Sequence, residues 1–285
     1  MYLFQTNLLN LVPFLTRLHE NLRRVNNRVN KYLRDPNEKQ IHDIRTAIRR
    51  LEAAFSTLPK NYRKTITLSE YVLTCKNLFK VNSEIRDMDI ISQKLQKYPV
   101  NDHRDRNIQI LKETRATKLE HAKEIALSLK NTGISKILDK TDVTEKNLQK
   151  RYNKILSRLI SRLESNFPIV ITDSSSIEEL HDLRKFCKKL RYMLELLPDH
   201  NKSAVGQMRK TLQKIQDILG AIHDYDFTIQ YLKSVENLSK EIQEIIDTEM
   251  DERRIKYEEF LKFCKRRLHI SPESFLIKIR RLRVT

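Results

Sequence analysis

A segment of this chain occurs twice, and this repetition limits the fold more than any other feature. Residues 41–59, IHDIRTAIRRLEAAFSTLP, align without gaps with residues 180–198, LHDLRKFCKKLRYMLELLP. A second pair of segments matches with a shift of two residues, EIRDMDIISQKL at 84–95 and AIHDYDFTIQYL at 221–232. Self-similarity of this kind indicates that one structural unit is built twice.

The repeat divides the chain into two units of similar length. A weaker match upstream, between LRRVNNRVNKYL from Leu22 and YNKILSRLISRL from Tyr152, adds a third pair of segments. The division falls in the stretch TGISKILDKTDVT. We therefore predict a single domain over residues 1–285, made of one repeat half at 1–138 and another at 139–285.

The composition and the spacing of apolar residues favour helices in both halves. The chain has only three Gly and seven Pro residues, too few for the many tight turns of a β-sandwich or barrel. Apolar residues recur with helical spacing, and Pro59 and Pro198 each end a helix. We predict an all-α fold of two antiparallel helical bundles related by a pseudo-two-fold axis. The helices are predicted near residues 13–34, 37–58, 62–81, 83–97 and 102–130 in the first half, and near 144–166, 176–197, 202–220, 222–234 and 236–268 in the second.

The repeated helix has an apolar face and a basic face when its residues are placed at 100° intervals. The predicted core residues are Ile44, Ala47, Ile48, Leu51 and Phe55 in the first copy, and Leu183, Phe186, Cys187, Leu190 and Leu194 in the second. The opposite side carries a basic stripe, formed by His42, Arg45 and Arg49 in one copy and by His181, Arg184 and Lys188 in the other. The stripes are widened by Arg50, Lys185 and Lys189, with Tyr192 on the same side.

The first helix of each half carries a second basic stripe beside its apolar face. Its residues are Arg17, Arg24, Arg28 and Lys31 in the first half, and Arg151, Lys154, Arg158 and Arg162 in the second. Any one of these cations fits an ordinary solvated surface. The whole set favours anion binding, because it recurs at matching positions, includes His, and lacks the Glu partners at i+4 that usually balance helix charge. Arg binds phosphate oxygens with two hydrogen bonds, Lys adds charge, and His donates a further hydrogen bond.

The net charge of +18 favours nucleic acid, acidic lipid or free polyphosphate as partner. The cysteines Cys75, Cys187 and Cys264 are far apart and form no Cys-x-x-Cys motif, which argues against a disulfide framework and a zinc site and indicates a reducing compartment. No glycine-rich phosphate loop occurs. The apolar amino terminus has no basic region or cleavage site and is too short to cross a membrane. We therefore expect a cytoplasmic protein with no membrane partner and no cofactor.

The paired H-x-x-R-x-x-x-[RK]-[RK]-L helices, each followed by an RD-x-D or HD-x-D helix, resemble the CHAD family, the conserved histidine α-helical domain. The resemblance covers nearly the whole chain. It implies that the two halves face each other across a basic cavity that binds inorganic polyphosphate, and that the protein associates with polyphosphate granules. The residues implied to bind polyphosphate are Arg24, Arg28, His42, Arg45, Arg49, Arg50, Lys154, Arg158, His181, Arg184, Lys188, Lys189 and Tyr192.

Three departures from the family pattern affect what the resemblance implies. The second half has two lysines, Lys188 and Lys189, where the first half has two arginines, so its contacts with phosphate are less directional. His223 stands where the first half has Arg86. The E-x-E-x-K motif of an attached triphosphate-tunnel domain does not occur, so we expect a binding protein without a hydrolase and without catalytic residues.

Two other functions fit parts of the sequence. His-Asp pairs at 42–43, 181–182 and 223–224 are also found in metal-dependent phosphohydrolases of the HD type, but adjacent helical residues diverge by about 100° and do not share a metal ion by adjacency alone. Nucleic acid is the other alternative partner. The charge allows it, but Tyr192 is the only aromatic residue within the stripes that could stack on a base.

Four aspartates and two histidines carry further expectations. The aspartates Asp87, Asp89, Asp224 and Asp226 either bind a divalent ion that bridges to phosphate or orient neighbouring basic side chains, and the sequence leaves both roles open. His42 and His181 are predicted to contact the ligand and to bind no metal. Nearby cations should lower their pKa values, and a bound phosphate chain should reverse that effect near pH 6 to 7.

Overall fold

The computed structural model describes residues 11–132, 143–197, 204–235 and 239–267, and every regular element within these ranges is a helix. The helices of the first half are α1 (Leu11–Arg34), α2 (Glu38–Thr57), the one-turn α3 (Lys60–Arg63), α4 (Ile66–Leu95) and α5 (Asp102–Asn131). Those of the second half are α6 (Glu145–Thr172), α7 (Ile177–Leu194), α8 (Ala204–Lys233) and α9 (Lys240–Arg267). The predicted all-α fold class is confirmed. None of these helices is long and apolar enough to cross a membrane.

Successive long helices pack against each other in the same order in both halves. In the first half α1 packs on α2, α2 on α4 and α4 on α5, and α5 returns to contact α1. In the second half α6 packs on α7, α7 on α8 and α8 on α9. Tyr257 of α9 returns to α6, where its hydroxyl donates a 2.8 Å hydrogen bond to the carbonyl of Val170. Each half is thus a unit of four long helices, and the pseudo-two-fold relation between the units stays a prediction.

The structure corrects the predicted helix boundaries near residues 82 and 221. The sequence predicts a break at both places, but α4 and α8 run through them without interruption. Neither place contains a proline, which would force a break. Asn82 is buried, and its side-chain oxygen accepts a 3.0 Å hydrogen bond from the Tyr32 hydroxyl, so its carbonyl group is satisfied inside the bundle, whereas its Nδ2 has no partner. Gly220 costs α8 only about 1 kcal/mol relative to alanine, which tertiary packing outweighs.

The other corrected boundary is the end of α6, predicted at residue 166. The helix continues to Thr172 through Pro168. Phe167 and Val170, on either side of the proline, are buried, so packing keeps the last turn helical although one backbone hydrogen bond is lost. The helix end predicted before Pro59 is confirmed. The end predicted at Pro198 and most of the predicted division between the halves lie outside the described residues.

One hydrophobic core contains residues from both halves. Matching positions of the two repeated helices are buried in it, namely Ile44 and Leu183, Ile48 and Cys187, and Leu51 and Leu190. Phe55 and Phe186, predicted as core residues, are only half-buried because they lie at the edge of this core, where the Arg162 guanidinium covers Phe186 at 5.4 Å. The shared core means that the halves pack directly on each other, with α2 against α7 and α4 against α8.

Arginines from the first helix of each half bind backbone carbonyls of the other half. Arg17 of α1 donates to the carbonyls of Glu195 and Leu197, just after α7. Arg151 of α6 donates a 3.2 Å hydrogen bond from Nε to the carbonyl of Ser56, near the end of α2. Ser56 and Glu195 hold matching positions in the repeat. Each repeated helix is therefore capped at its carboxyl end by an arginine of the opposite half.

A separate apolar cluster joins α4 and α5 to α8 and α9. Beside it, Lys94 of α4 forms an ion pair with Glu249 of α9, whose side chain is 5% exposed. The Tyr98 hydroxyl donates a 2.8 Å hydrogen bond to the same carboxylate. These two donors offset the desolvation of the buried Glu249 carboxylate. Because both donors belong to the first half and Glu249 to the second, this contact links the halves at a second place.

Candidate anion-binding site

The packing of α2 on α7 brings the two basic stripes of the repeated helices into one site. Arg45 and Arg49 of α2 meet Arg184 and Lys188 of α7, and all four side chains are half-buried. We call these four residues the central cluster. The sequence predicts stripes that lie away from the core; the structure corrects this, because these residues lie at the contact between the halves.

Desolvation and mutual repulsion act together on the central cluster. Burial, followed by the charge of Arg49, lowers the pKa of Arg45 to about 10. Burial, followed by the charges of the three arginines, lowers the pKa of Lys188 to about 6. A site that disfavours its own positive charge this strongly gains free energy when an anion occupies it.

The central cluster has little compensating negative charge. Asp87, Asp224 and Glu52 act on it electrostatically, yet within the described ranges none of the four cations forms an ion pair. The Nε atoms of Arg45 and Arg184, which hold matching positions in the repeat, are buried without a hydrogen-bond partner. Buried donors of this kind are rare. They leave hydrogen bonds available to a ligand with several anionic oxygens.

Helices α4 and α8 form the walls of the central cluster. The ring centroid of Phe79 in α4 lies 5.5 Å from Cζ of Arg45 and 4.7 Å from Cζ of Arg49. Such contacts between a cation and an aromatic face are favourable and hold the guanidinium groups in place. In α8, a Cβ atom on Gly220 would lie 3.8 Å from Nε of Arg184. The absence of a side chain there lets Arg184 lie directly against the helix.

Three histidines lie next to the central cluster. Partial burial, opposed by Asp43 and reinforced by Arg45, lowers the pKa of His42. Enough of this side chain stays exposed for a ligand to reach it. Burial, followed by the charge of His223, lowers the pKa of His181 to about 4. The rings of His181 and His223 are 4.7 Å apart. Both pKa values shift in the direction predicted from the sequence, although desolvation rather than neighbouring charge is the largest cause.

Three of the predicted residues, Arg24, Arg50 and Tyr192, line a separate groove beside α1 with a volume of about 330 Å³. The Tyr192 ring is 5% exposed, and the guanidinium carbons of Arg50 and Arg191 lie 5.8 and 4.8 Å from its centroid. Tyr192 is therefore buried in the core, yet a side-chain hydrogen bond links it to Arg49, so it joins the central cluster to this groove, in agreement with its predicted place beside the basic stripe.

The predicted residues of α1 and α2 outside the central cluster differ in how far their charge is neutralised. Arg28 forms a 2.7 Å ion pair with Asp43, and Arg50 forms one of the same length with Glu195. Arg24 is exposed and also lines a second groove of about 580 Å³ that follows α1. Arg24 is thus the most accessible of these arginines.

The remaining predicted residues, Lys154, Arg158 and Lys189, lie on an exposed surface of the second half. The charge of Arg158 acts on Arg151, and Lys189 is influenced by Glu52 and by three cations other than those of the central cluster. The structure therefore does not bring these three residues into the central cluster.

The two aspartates within each Asp-x-Asp pair lie in different environments. Asp89 accepts a 2.6 Å hydrogen bond from Arg115 of α5, and Asp226 accepts one from Arg253 of α9. These ion pairs hold arginines between neighbouring helices, at matching positions of the repeat. Asp87 and Asp224 instead lie beside the central cluster. In the described part of the chain, no three His, Cys, Asp or Glu side chains are grouped in a way that could hold a metal ion.

Sequence reasoning did not assign three components to this site. The sequence shows His223 opposite Arg86 in the repeat, but that match alone did not place it among the binding residues. Gly220 also carried a signal, as one of only three glycines in the chain. No pattern marks Phe79, because its contact with the arginines depends on how α4 packs on α2.

Comparison with known proteins agrees with this architecture. The sequence profile of the CHAD domain matches residues 16–233, from α1 to the end of α8. No curated protein matches the chain. Among solved structures, the crystal structure of the CHAD domain from the plant Ricinus communis is similar, with a TM-score of 0.58 and 15% sequence identity over 96% of this chain and 92% of that chain. At this identity the likeness concerns the fold alone. Because the family profile spans most of its length, the chain belongs to the CHAD domain family.

Proposed function

We propose that this protein binds inorganic polyphosphate, and that the central cluster is the part of the site shared by both halves. The observation that carries the proposal is the unpaired positive charge where α2 meets α7, including the two buried Nε donors of Arg45 and Arg184. Polyphosphate supplies anionic oxygens in a continuous row, and it has no bulky group that must fit between two packed helices. Bidentate and charge-assisted hydrogen bonds to those oxygens are the strongest that arginine makes.

Further cations around the central cluster favour a chain over a single phosphate ion. Arg86, which forms a 3.1 Å ion pair with Glu38, lies beside it, and so does His42, which becomes a cation once an anion raises its pKa. Arg24 lies in the neighbouring groove of α1. One orthophosphate cannot contact all of these residues. A chain of phosphates can extend from the centre toward the surface and contact several of them, so we expect affinity to rise with chain length.

The test is a calorimetric titration with polyphosphates of graded length on two matched variants. The double variant Arg45→Ala and Arg49→Ala alters only the first half, and Arg184→Ala with Lys188→Ala alters only the second. If the halves share one site, each variant loses at least about tenfold in affinity, because charge-assisted hydrogen bonds contribute roughly 1.5 kcal/mol or more each.

The control is the double variant Arg106→Ala and Lys112→Ala, which removes two basic side chains from the exposed surface of α5 and at least as much positive charge as either half-variant. It should bind nearly as tightly as the unmodified protein. Two independent sites would instead leave one intact site in each half-variant, with half the stoichiometry and unchanged affinity. Equal losses in the control and the half-variants would show that net charge alone drives binding, and would overturn the proposal.

We also propose that binding is not followed by hydrolysis. Incubation of long-chain polyphosphate with the protein and Mg²⁺ or Mn²⁺ should leave chain length unchanged on a gel and release no orthophosphate. Sustained phosphate release that disappears in the Arg45 and Arg49 double variant would contradict this and support a phosphohydrolase.

A further inference from the structure

Three aromatic rings form a ladder beside the central cluster, and only the second half has it. The His181 and His223 rings lie 4.7 Å apart, and the Phe227 ring stacks on His223 at 6.0 Å with an interplanar angle of 9°. The repeat places Arg86 and Ile90 in the first half where the second half has His223 and Phe227. The first half packs without aromatic rings at these positions, so the repeated fold itself does not require the ladder.

The outer ring of the ladder is open to solvent. Phe227 is 37% exposed, so part of its ring is accessible to a ligand. Its partner His223 lies one helical turn earlier on the same face of α8, so the imidazole lies nearly parallel to the Phe227 ring and offset from it. At neutral pH the lowered pKa of His181 leaves that imidazole uncharged, so the inner end of the ladder is aromatic rather than cationic.

The ladder leads directly to the central cluster. Gly220, which lies against Arg184, is one turn before His223 on α8, and Phe227 is one turn after it. From Gly220 to Phe227 the helix rises about 10 Å. This span is comparable to that of an extended triphosphate group, so one small ligand can contact the cluster with its phosphates and Phe227 with a ring at its other end.

We propose that the His181–His223–Phe227 ladder is a stacking platform for a nucleobase, and that this protein binds nucleoside polyphosphates with their phosphates on the central cluster. This inference depends on the proposed function in one respect, because both assign phosphate groups to the central cluster. Stacking on an aromatic ring is favourable for every base, because every base has a π-face, and purines offer the larger one. We therefore expect ATP and GTP to bind alike and to bind better than pyrimidine nucleotides.

The first test compares ATP with tripolyphosphate, which has the same number of phosphates and no base, in buffer without divalent ions. ATP should bind about tenfold more tightly, within the range that stacking of one base provides. The variant Phe227→Ile, which installs the residue type found at the matching position of the first half, should reduce ATP affinity to that of tripolyphosphate. It should leave tripolyphosphate affinity unchanged.

Two further variants separate stacking from general effects on the fold. Phe227→Tyr keeps an aromatic ring and should keep the preference for ATP. Ile90→Ala alters the matching position of the first half and should change neither affinity. As a direct readout of stacking, the fluorescence of 2-aminopurine riboside triphosphate should be quenched on binding, and Phe227→Ile should abolish that quenching.

Equal affinity of the unmodified protein for ATP and tripolyphosphate would overturn the nucleotide proposal and leave polyphosphate binding intact. A preference for ATP that survives Phe227→Ile would also overturn it. If a short single-stranded RNA binds in a Phe227-dependent way and ATP does not, the platform recognises a strand and not a free nucleotide, which again overturns the proposal. Failure of long-chain polyphosphate to bind would instead refute the proposed function itself.

Discussion

Lys188 is the residue whose protonation should respond most strongly to an anion in the central cluster. The charged groups that face it are Arg45 and Arg49 from α2, Arg184 from α7 and Asp224 from α8. With a pKa of about 6, Lys188 is mostly uncharged at pH 7.5 in the free protein. A bound anion favours the charged form. Binding at pH 7.5 should therefore take up a proton, and affinity should strengthen as pH falls from 8 to 6 and level off below that range.

Calorimetry in buffers of different ionisation enthalpy measures the protons taken up, with polyphosphate of one length throughout. Lys188→Arg keeps the side chain charged, so it should bind tightly with much less proton uptake at pH 7.5. Lys188→Met should lose both the uptake and part of the affinity. Proton uptake that is the same in all three proteins would come from the ligand or from His42 and would contradict the assignment to Lys188. His181 titrates too low to contribute in this range, since its pKa is about 4.

The sequence predicts the identity of these charged residues but not their protonation. The stripe of Arg45, Arg184 and Lys188 is visible in the repeat, because matching residues recur at helical spacing. The desolvation of these side chains cannot be read from the sequence, because it depends on the contact between α2 and α7. No local pattern encodes which face of one helix meets another. Lys188 is therefore added as a group that takes up a proton, whereas proton uptake by His42, whose pKa is lowered in the free protein, stays a prediction.

At the scale of helices, the long elements and their order could be predicted, and the errors have a common cause. Breaks were predicted in α4 and α8 near residues 82 and 221, where polar and small residues interrupt the apolar pattern. Those residues serve contacts between helices. Asn82 accepts a hydrogen bond from Tyr32, and Gly220 gives space to Arg184. Residues chosen for tertiary contacts weaken the local signal for a helix without ending it.

Gly220 offers a graded test of how α8 positions the site. A Cβ at this position would make ordinary van der Waals contact with Arg184, at 3.8 Å from Nε. We expect Gly220→Ala to raise the free energy of unfolding by about 0.5–1 kcal/mol, because alanine is the better helix former, and to leave polyphosphate affinity unchanged. Gly220→Leu should push Arg184 aside and weaken binding severalfold.

Chemical denaturation gives the stability change, and the polyphosphate titration gives the affinity. Ala221→Leu is the matched control, because it enlarges the neighbouring residue of the same helix. If the control weakens binding as much as Gly220→Leu does, the effect comes from disturbing α8 in general and not from Arg184.

At the scale of the whole molecule, the shared core and the arginine contacts between the halves fix the central cluster as one unit, whereas other cations lie on separate surfaces. The family resemblance implies a single polyphosphate site that includes Arg24, Lys154 and Arg158. The structure places these three residues on exposed parts of α1 and α6. Sequence matching assigns residues to a set but does not measure their separation, so the prediction could not divide the set into a centre and a periphery.

This division predicts that the peripheral cations matter only for long chains. We expect tripolyphosphate bound at the centre not to reach the exposed face of α6, so its affinity should be the same in the variant Lys154→Ala with Arg158→Ala as in the unmodified protein. The affinity for a long chain that reaches α6 should fall about fivefold, because two exposed ion pairs contribute roughly 0.5 kcal/mol each.

The loss of affinity for long chains should shrink at high salt, since exposed charges are screened. Calorimetry with both ligands at two salt concentrations measures all of these effects, with Arg106→Ala and Lys112→Ala again as the control of equal charge. A loss for tripolyphosphate equal to that for long chains would place Lys154 and Arg158 in the centre, against the position that the fold gives them.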